Sequence, residues 1–369
     1  MSRELTTLWR RFPLRTGQVW LDLLLPAVPL ALVLGWLHRG PLAVFLFSAA
    51  GLIPLAGVLG VSTEAMAAWT NPSVGGLLNA TMGNATELIV GLVALQSGHI
   101  EVVKASLSGS IIGNLLLVLG LSLLAGGLGR EKQEFSRTVA STNCTMLFIA
   151  AVALIMPAVF DLAVFGHLGE QRPILENLSL WTAGILMLTY LVGLLFTLKT
   201  HRALFTPARE PEQAPEMSRN QAMLRLGLAT VLIAILSELL MRELHVAQQA
   251  FGFTDFFMGV IVVALVGNAA EHSTAITVAR HDQVELAMTI GVGSSTQIAL
   301  FVAPVLVFVS VLMGHPMSLV FNAFEIAAIV LSVLAVQMIS NDGESNWLEG
   351  AQLLAIYLLL AVAFYFVPA

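Results

Sequence analysis

Residues 83–91 read Gly-Asn-Ala-Thr-Glu-Leu-Ile-Val-Gly and residues 267–275 read Gly-Asn-Ala-Ala-Glu-His-Ser-Thr-Ala, so Gly-Asn-Ala-x-Glu occurs twice, 184 positions apart. The register continues without a gap: Glu101 meets Glu285, Gly109 meets Gly293 and Ser110 meets Ser294. Both glutamates, Glu87 and Glu271, fall inside long apolar runs. A carboxylate at membrane depth costs several kcal/mol, so each must face a partner, a water-filled cavity or a bound cation. Each follows Gly-Asn by three residues, and Gly83-Asn84 and Gly267-Asn268 in mid-helix predict local breaks that turn freed backbone carbonyls toward the same ion. Two carboxylates with carbonyl oxygens make a hard donor set suited to a divalent cation such as calcium, and less to magnesium, which holds its waters. Such carboxylates are tolerable when cation-bound or protonated and unfavourable when bare. That chemistry predicts exchange, with at least two protons for each divalent ion.

The elements that must carry these residues are membrane helices. The chain is 57% hydrophobic and only 11% charged, with a mean hydropathy of +0.87, far from the quarter-charged composition of soluble domains. A net charge of −6 and the lack of a basic run beyond Arg10-Arg11 exclude a nucleic-acid footprint. The single cysteine, Cys144, excludes a disulfide framework and reads as a packed thiol.

Apolar blocks fall at 17–37, 42–66, 72–97, 103–127, 138–160, 178–198, 224–241, 254–279, 285–313, 318–339 and 347–367. These predict an all-α integral membrane protein of about eleven spans. The first block reads as a retained span, since no small-residue cleavage site follows it. With a cytoplasmic amino end, thirteen of the seventeen basic residues fall inside, leaving Arg39, Lys104, Arg172 and Arg242 outside, with the carboxyl end outside as well. Residues 199–223, with Pro207, Pro211 and Pro215 among Glu210, Glu212 and Glu216, read as a flexible cytoplasmic acidic linker. The organisation expected is residues 1–40 for the amino-terminal segment and helix 1, residues 41–198 for a first repeat of helices 2–6, the linker, and residues 224–369 for a second repeat of helices 7–11. Five is odd, so the second repeat is inverted in the membrane, the common plan of secondary transporters.

Further polar residues inside the blocks are candidates for the ion path or a proton relay. Glu64 in helix 2 and Glu238 in helix 7 stand one helix before each motif. Asn114 and Gln297 fall 27 and 26 residues after their glutamates, and either amide can face the cavity or join helices. Ser110 and Ser294 are placed to hydrogen-bond the carboxylates or to permit close packing. Glu325 in helix 10 has no acidic counterpart in helix 5, which offers Asn143 and Thr145; it reads as functional or as a helix-packing group. His272 points about 100° away from Glu271 on a helix and is a neighbour of the site. Asp161, Glu170 and Glu176 read as a solvated outer loop.

The paired Gly-Asn-Ala-x-Glu segments, the eleven spans and the acidic linker resemble the calcium/proton exchanger (CAX) branch of the calcium/cation antiporter superfamily, from residue 17 to nearly the end. The resemblance implies alternating access in which helices 3 and 8 cross at the midplane, with Glu87 and Glu271 as central ligands shared by calcium and protons, and Asn84 and Asn268 as motif residues. It implies Ca2+ as transported substrate and no cofactor, the lipid bilayer as surroundings and room for a homo-oligomer; the short basic amino end without an organellar transit pattern reads as a protein of a prokaryotic cytoplasmic membrane. The long regulatory extension of plant vacuolar exchangers is absent, and the linker is less acidic than theirs. A sodium/calcium exchanger or a manganese exchanger uses the same oxygen chemistry. An intramembrane metalloprotease would carry His-Glu-x-x-His, which is absent, and a passive channel fits paired neutralisable carboxylates less well than an exchanger.

Overall fold

The computed structural model describes residues 14, 16, 18–168, 172–201 and 217–367. The linker acids Glu210, Glu212 and Glu216, the basic amino end through Arg11, and Glu170 lie outside the described residues. Among the described residues the regular structure is helical apart from two two-residue strands. Every apolar block of the sequence holds a helix: α1 (Val19–Trp36), α2 (Pro41–Ala68), α3 in two halves (Pro72–Met82 and Ala85–Gln96), α4 (Ile100–Gly127), α5 (Arg137–Phe165), α6 (Pro173–Thr200), α7 (Arg219–Arg242), α8 (Asp255–Arg280), α9 (Val284–Leu312), α10 (Ala323–Ile339) and α11 (Trp347–Tyr365). Among the described residues nine are long and apolar enough to cross a membrane, and ten if the bent pair in α3 is one span. The remaining apolar helix of the described residues, α10, has 17 residues and is shorter than these spans.

The ends of these helices are written locally. Asn71 and Ser136 accept from backbone amides at the starts of α3 and α5, and Ser218 with Gln221, Asn322 with Glu325 and Asn346 with Glu349 form capping boxes on α7, α10 and α11. The block predicted from 318 begins as extended chain: Met317, Leu319, Val320 and Phe321 are buried but not helical. Their backbone is satisfied by side chains, with Ser310 Oγ accepting from Met317 N and Ser179 Oγ from Leu319 N, both at 2.8 Å. Irregular backbone at membrane depth requires such partners, and this detour shortens α10.

The chain divides into two compact units. One holds α1, α2, most of α3, α7 and a short helix, Leu244–Phe251. Small residues let α2 meet its neighbours: a Cβ on Gly51 would lie 2.7 Å from Leu236 of α7, and one on Gly35 of α1 would lie 2.8 Å from Leu239. The amino-terminal side is anchored by Asp22, buried in α1, whose carboxylate accepts from Thr16 N at 2.8 Å and Thr16 Oγ1 at 2.9 Å.

The other unit holds α4–α6 and α8–α11. Its α4–α8 seam is backbone against backbone. A Cβ on Gly109 would collide with the carbonyl of Val260, and one on Gly259 would sit 2.6 Å from Ala105 Cβ. Gly109→Ala is therefore expected to cost about 1–3 kcal/mol by overpacking, measured as a lower unfolding midpoint of the detergent-solubilised protein. On one face of this unit the α4–α5, α8–α9 and α10–α11 connections meet, as alternate membrane crossings require. Strand β1 (Gln133–Glu134) pairs antiparallel with β2 (Glu344–Ser345), Arg130 pairs with Asp282 at 3.3 Å, and Glu285 accepts from Ser136 N at 3.2 Å. Lys132 bridges Glu134 (2.7 Å) and Glu344 (2.8 Å). Those two hydrogen bonds raise the Lys132 ammonium above its usual range, while Lys132 holds Glu134 below the usual carboxylate range, so the bridge is charged on both sides at neutral pH.

Two expectations change at the other face. Asp161 is not in a solvated loop: it lies in the last turns of α5, fully buried, 3.5 Å from Arg172. Lys104 is not in a loop either. It lies in the first turns of α4, buried and 3.0 Å from Glu101.

Candidate cation and proton site

In the first unit the Gly-Asn break is present. The halves of α3 meet at Gly83-Asn84 with a bend of 44°, and the Asn84 side chain is buried there. The Gly83 amide still reaches Asn79 O (2.8 Å), and Leu88 N reaches Asn84 O (3.0 Å), so the turn closes on both sides of the bend. Glu87 stands in the first turn of the second half with its Oε2 buried. The positive end of a helix favours an anion at that position. Glu64 on α2 and Glu238 on α7 belong to the same unit, on helices that pack along each other, and both are exposed.

In the second unit the matching break is missing. Helix α8 runs unbroken through Gly267 and Asn268 to Arg280, and its irregularity is a π-helical turn upstream, at Met258–Val263. The Asn268 side chain is fully engaged there: its Nδ2 donates to Ala264 O one turn back (2.8 Å) and to Ser110 Oγ of α4 (2.8 Å), while its Oδ1 accepts from Asn114 Nδ2 of α4 (3.1 Å). Asn268, Ser110 and Asn114 are all buried. Asn114 and Ser110 thus join helices through Asn268, and Ser110 touches an amide, not a carboxylate.

One turn further along α8, Glu271 Oε2 accepts a 2.7 Å hydrogen bond from Ser294 Oγ of α9. Ser294 is thus the serine that meets a motif carboxylate, across the 23-residue spacing seen in the sequence. Gln297 is half-buried one turn later, just before a π-helical turn at Ile298–Val302. Its counterpart in α4 is π-helical too, at Gly113–Val118, beginning with Asn114's turn. Such turns widen a helix and present extra carbonyls, and they concentrate at functional sites. Nothing in the composition of these stretches marks them as π-helical.

His272 is buried beside Glu271, and its Nε2 has no hydrogen-bond partner among the described residues. With Ser110, Asn268 and Tyr357 it lines a small cavity of about 10 Å³ against the π-helical part of α8. Glu325 lies elsewhere. It is buried at the start of α10, where Oε2 accepts from Asn322 N (2.9 Å) and Oε1 from Ser108 Oγ of α4 (2.7 Å). The Asn-x-x-Glu spacing of a capping box was a readable signal for the first bond. Ser108 was missed, because a serine in an apolar helix carries no mark of its partner.

The described residues hold nine helices of spanning length, ten if the bent pair in α3 is one span, with Gly-Asn-Ala-x-Glu on α3 and on α8, and the chain belongs to the sodium/calcium exchanger protein family, whose model matches residues 40–199 and 222–366. It is 43% identical over 362 residues to a Ca(2+)/H(+) antiporter of Synechocystis, covering 94% of this chain and 96% of the relative. It is 42% identical to the Ca(2+)/H(+) antiporter ChaA of Bacillus subtilis, covering 95% and 99%. The solved structure of native YfkE superposes with a TM-score of 0.82 at 40% identity, covering 94% of this chain and all of that one. The resemblance to calcium/proton exchangers therefore extends along nearly the whole chain.

Proposed function

We propose that this protein is a secondary antiporter that exchanges Ca2+ for protons across a cytoplasmic membrane, by alternating access, with Glu87 and Glu271 taking calcium or protons in turn. The observation that carries this reading is the duplicated Gly-Asn-Ala-x-Glu motif, set on α3 and α8 in a chain whose relatives are named Ca(2+)/H(+) antiporters. Helices 2–6 and 7–11 act as inverted repeats, with α1 outside the pair, the amino end cytoplasmic and the carboxyl end outside.

Calcium and protons compete because the same oxygens serve both. A carboxylate already hydrogen-bonded by Ser294 is oriented before an ion arrives, and calcium's preference for six to eight oxygen ligands leaves places for further oxygens beside it. When calcium leaves, protons must neutralise the carboxylates, since a bare charge in the membrane interior is the costly state. Neutralised sites, loaded either way, can reorient; empty charged ones cannot. That asymmetry is what couples the two fluxes. Asn84 and Asn268 fix the motif turns, and Glu64, Glu238, Asn114, Gln297 and His272 supply polar surface along the path. In a prokaryotic cytoplasmic membrane the inward proton gradient drives calcium out.

Ser294→Ala removes one neutral-to-charged hydrogen bond, worth roughly 1.5–3 kcal/mol. The half-saturating calcium concentration is expected to rise by about tenfold or more while exchange persists; an unchanged affinity in calcium titrations of the purified variant contradicts the ligand role of Glu271. The family model also covers sodium-coupled exchangers. Exchange that needs sodium and ignores pH would establish that reading in place of proton coupling.

A further inference from the structure

The cavity beside His272 lies where α4, α8 and α11 meet. Ser110 and Gly113 of α4, Val260, Asn268 and His272 of α8 and Tyr357 of α11 are in its wall, and no carboxylate, lysine or arginine lines it. Its volume is about 10 Å³. That is close to the roughly 10–15 Å³ that a single water molecule requires. A lipid chain does not fit such a space, and a cation would meet no opposing charge there. The backbone explains why there is room at all. The seam is tight at Gly109, where a Cβ would collide with the Val260 carbonyl, but one turn on a Cβ built on Gly113 meets nothing within 4 Å. Gly113 opens the π-helical turn of α4, and Val260 lies in the π-helical turn of α8, so both helices are widened where they border the cavity.

The wall carries polar groups whose hydrogen bonding is incomplete. His272 is buried, and its Nε2 meets no donor or acceptor among the described residues. A buried ring nitrogen left in that state is costly, and the cost is relieved by any partner of the right size. Ser110 Oγ accepts from Asn268 Nδ2 at 2.8 Å and still has its own hydrogen to give. Tyr357 brings a hydroxyl that both donates and accepts. Asn268 is already engaged by Ala264, Ser110 and Asn114, so it adds polarity to the wall without an open group. Small cavities with apolar walls stay dry, whereas those that offer two to four polar partners hold water.

We propose that this cavity is a binding site for one ordered water, held by His272 Nε2, Ser110 Oγ and Tyr357 Oη, which completes the hydrogen bonding of His272 and joins α11 to the α4–α8 seam. Water suits either neutral tautomer of the ring, donating to a bare Nε2 or accepting from a protonated one. Because His272 directly follows Glu271, the bridge steadies the turn of α8 that carries the motif carboxylate. The assignment does not rest on the exchanger reading, since hydration is measured without transport.

Two measurements test the site. A crystal structure of the full, unaltered chain, at a resolution that shows ordered water, is expected to hold one spherical density peak about 2.7–3.2 Å from both His272 Nε2 and Ser110 Oγ. No density there, or density out of hydrogen-bond reach of His272 Nε2, overturns the proposal. The second measurement is thermal unfolding of two detergent-solubilised variants. Gly113→Ala puts a methyl group into the space assigned to the water. Gly184→Ala on α6, where an added Cβ also meets nothing within 4 Å, reports what a glycine-to-alanine change does to a membrane helix by itself. Displacing the water strands His272, so the Gly113→Ala midpoint is expected to fall at least about 2 °C below that of Gly184→Ala. A midpoint inside that margin, or above it, is what a methyl group filling a dry cavity gives, and it overturns the proposal. If Gly113→Ala does not fold, the density in the unaltered chain decides.

Discussion

Glu271→Gln and Glu87→Gln are each expected to abolish exchange. Glutamine keeps the shape of a protonated glutamate and its hydrogen bond with Ser294 Oγ at position 271, so folding and yield stay near wild type. What disappears is the charge that opposes calcium and the group that carries a proton back. Removing one partner from a buried charge pair costs roughly 3–5 kcal/mol, which corresponds to a loss of calcium affinity on the order of 10² to 10³-fold. The deficit shrinks as pH falls: if each calcium displaces two protons from wild type, the variant, with one motif carboxylate left, loses only about tenfold in affinity per unit of falling pH against about 100-fold for wild type. Calcium titration of the purified variants, followed by uptake assays, checks both halves. A variant that binds calcium like wild type but fails to transport would leave the residue a role in reorientation alone.

The second large effect is the pH dependence of calcium binding. If each calcium displaces two protons, the apparent dissociation constant rises by about 100-fold for each unit of falling pH while both carboxylates are protonated in the ion-free protein, and by about tenfold if one proton is displaced. The sign follows from competition: acid favours the protonated site and weakens calcium, and alkali strengthens it until the carboxylates are free and the slope flattens. Isothermal titration of calcium at several pH values, in buffers of different ionisation enthalpy, gives the number of protons released directly. A slope of zero would mean that the motif carboxylates are not the proton carriers.

Much of this was readable in the chain because membranes impose simple rules. Apolar blocks located the eleven long helices to within about five residues, since an unsatisfied backbone is intolerable in lipid, but gave no sign of the short helix Leu244–Phe251. The duplicated motif was visible from spacing, and of the two serines held in its register Ser294 meets a motif carboxylate whereas Ser110 meets an asparagine amide. The misreadings share a cause. Gly-Asn predicted a break at both motifs, yet only Gly83-Asn84 bends, while the Asn268 side chain ties the unbroken α8 to Ser110 and Asn114 of α4. Asp161 looked like a loop acid because its partner Arg172 lies across a helix end. Lys104 and Ser108 looked incidental because their meaning comes from Glu325, more than two hundred residues later. Local pattern encodes the helices; which polar side chain reaches which other one is decided by packing between helices, and no periodicity reports it.

The shortened α10 shows the same limit in another form. The apolar run from 318 gave no reason to stop the helix, but Pro316 lies just upstream, and Ser310 and Ser179 supply acceptors for the amides of Met317 and Leu319. An extended segment with satisfied amides is stable inside protein, and it brings Asn322 and Glu325 to the helix start where they cap it.

The most direct test of the central claim is calcium-45 uptake into proteoliposomes that carry the wild-type chain, an imposed pH gradient and no sodium. Uptake that accumulates against the calcium gradient, reverses when the pH gradient is reversed and collapses with a protonophore is the predicted result. Uptake that is indifferent to the pH gradient, or that appears only when sodium is supplied, would contradict proton-coupled exchange.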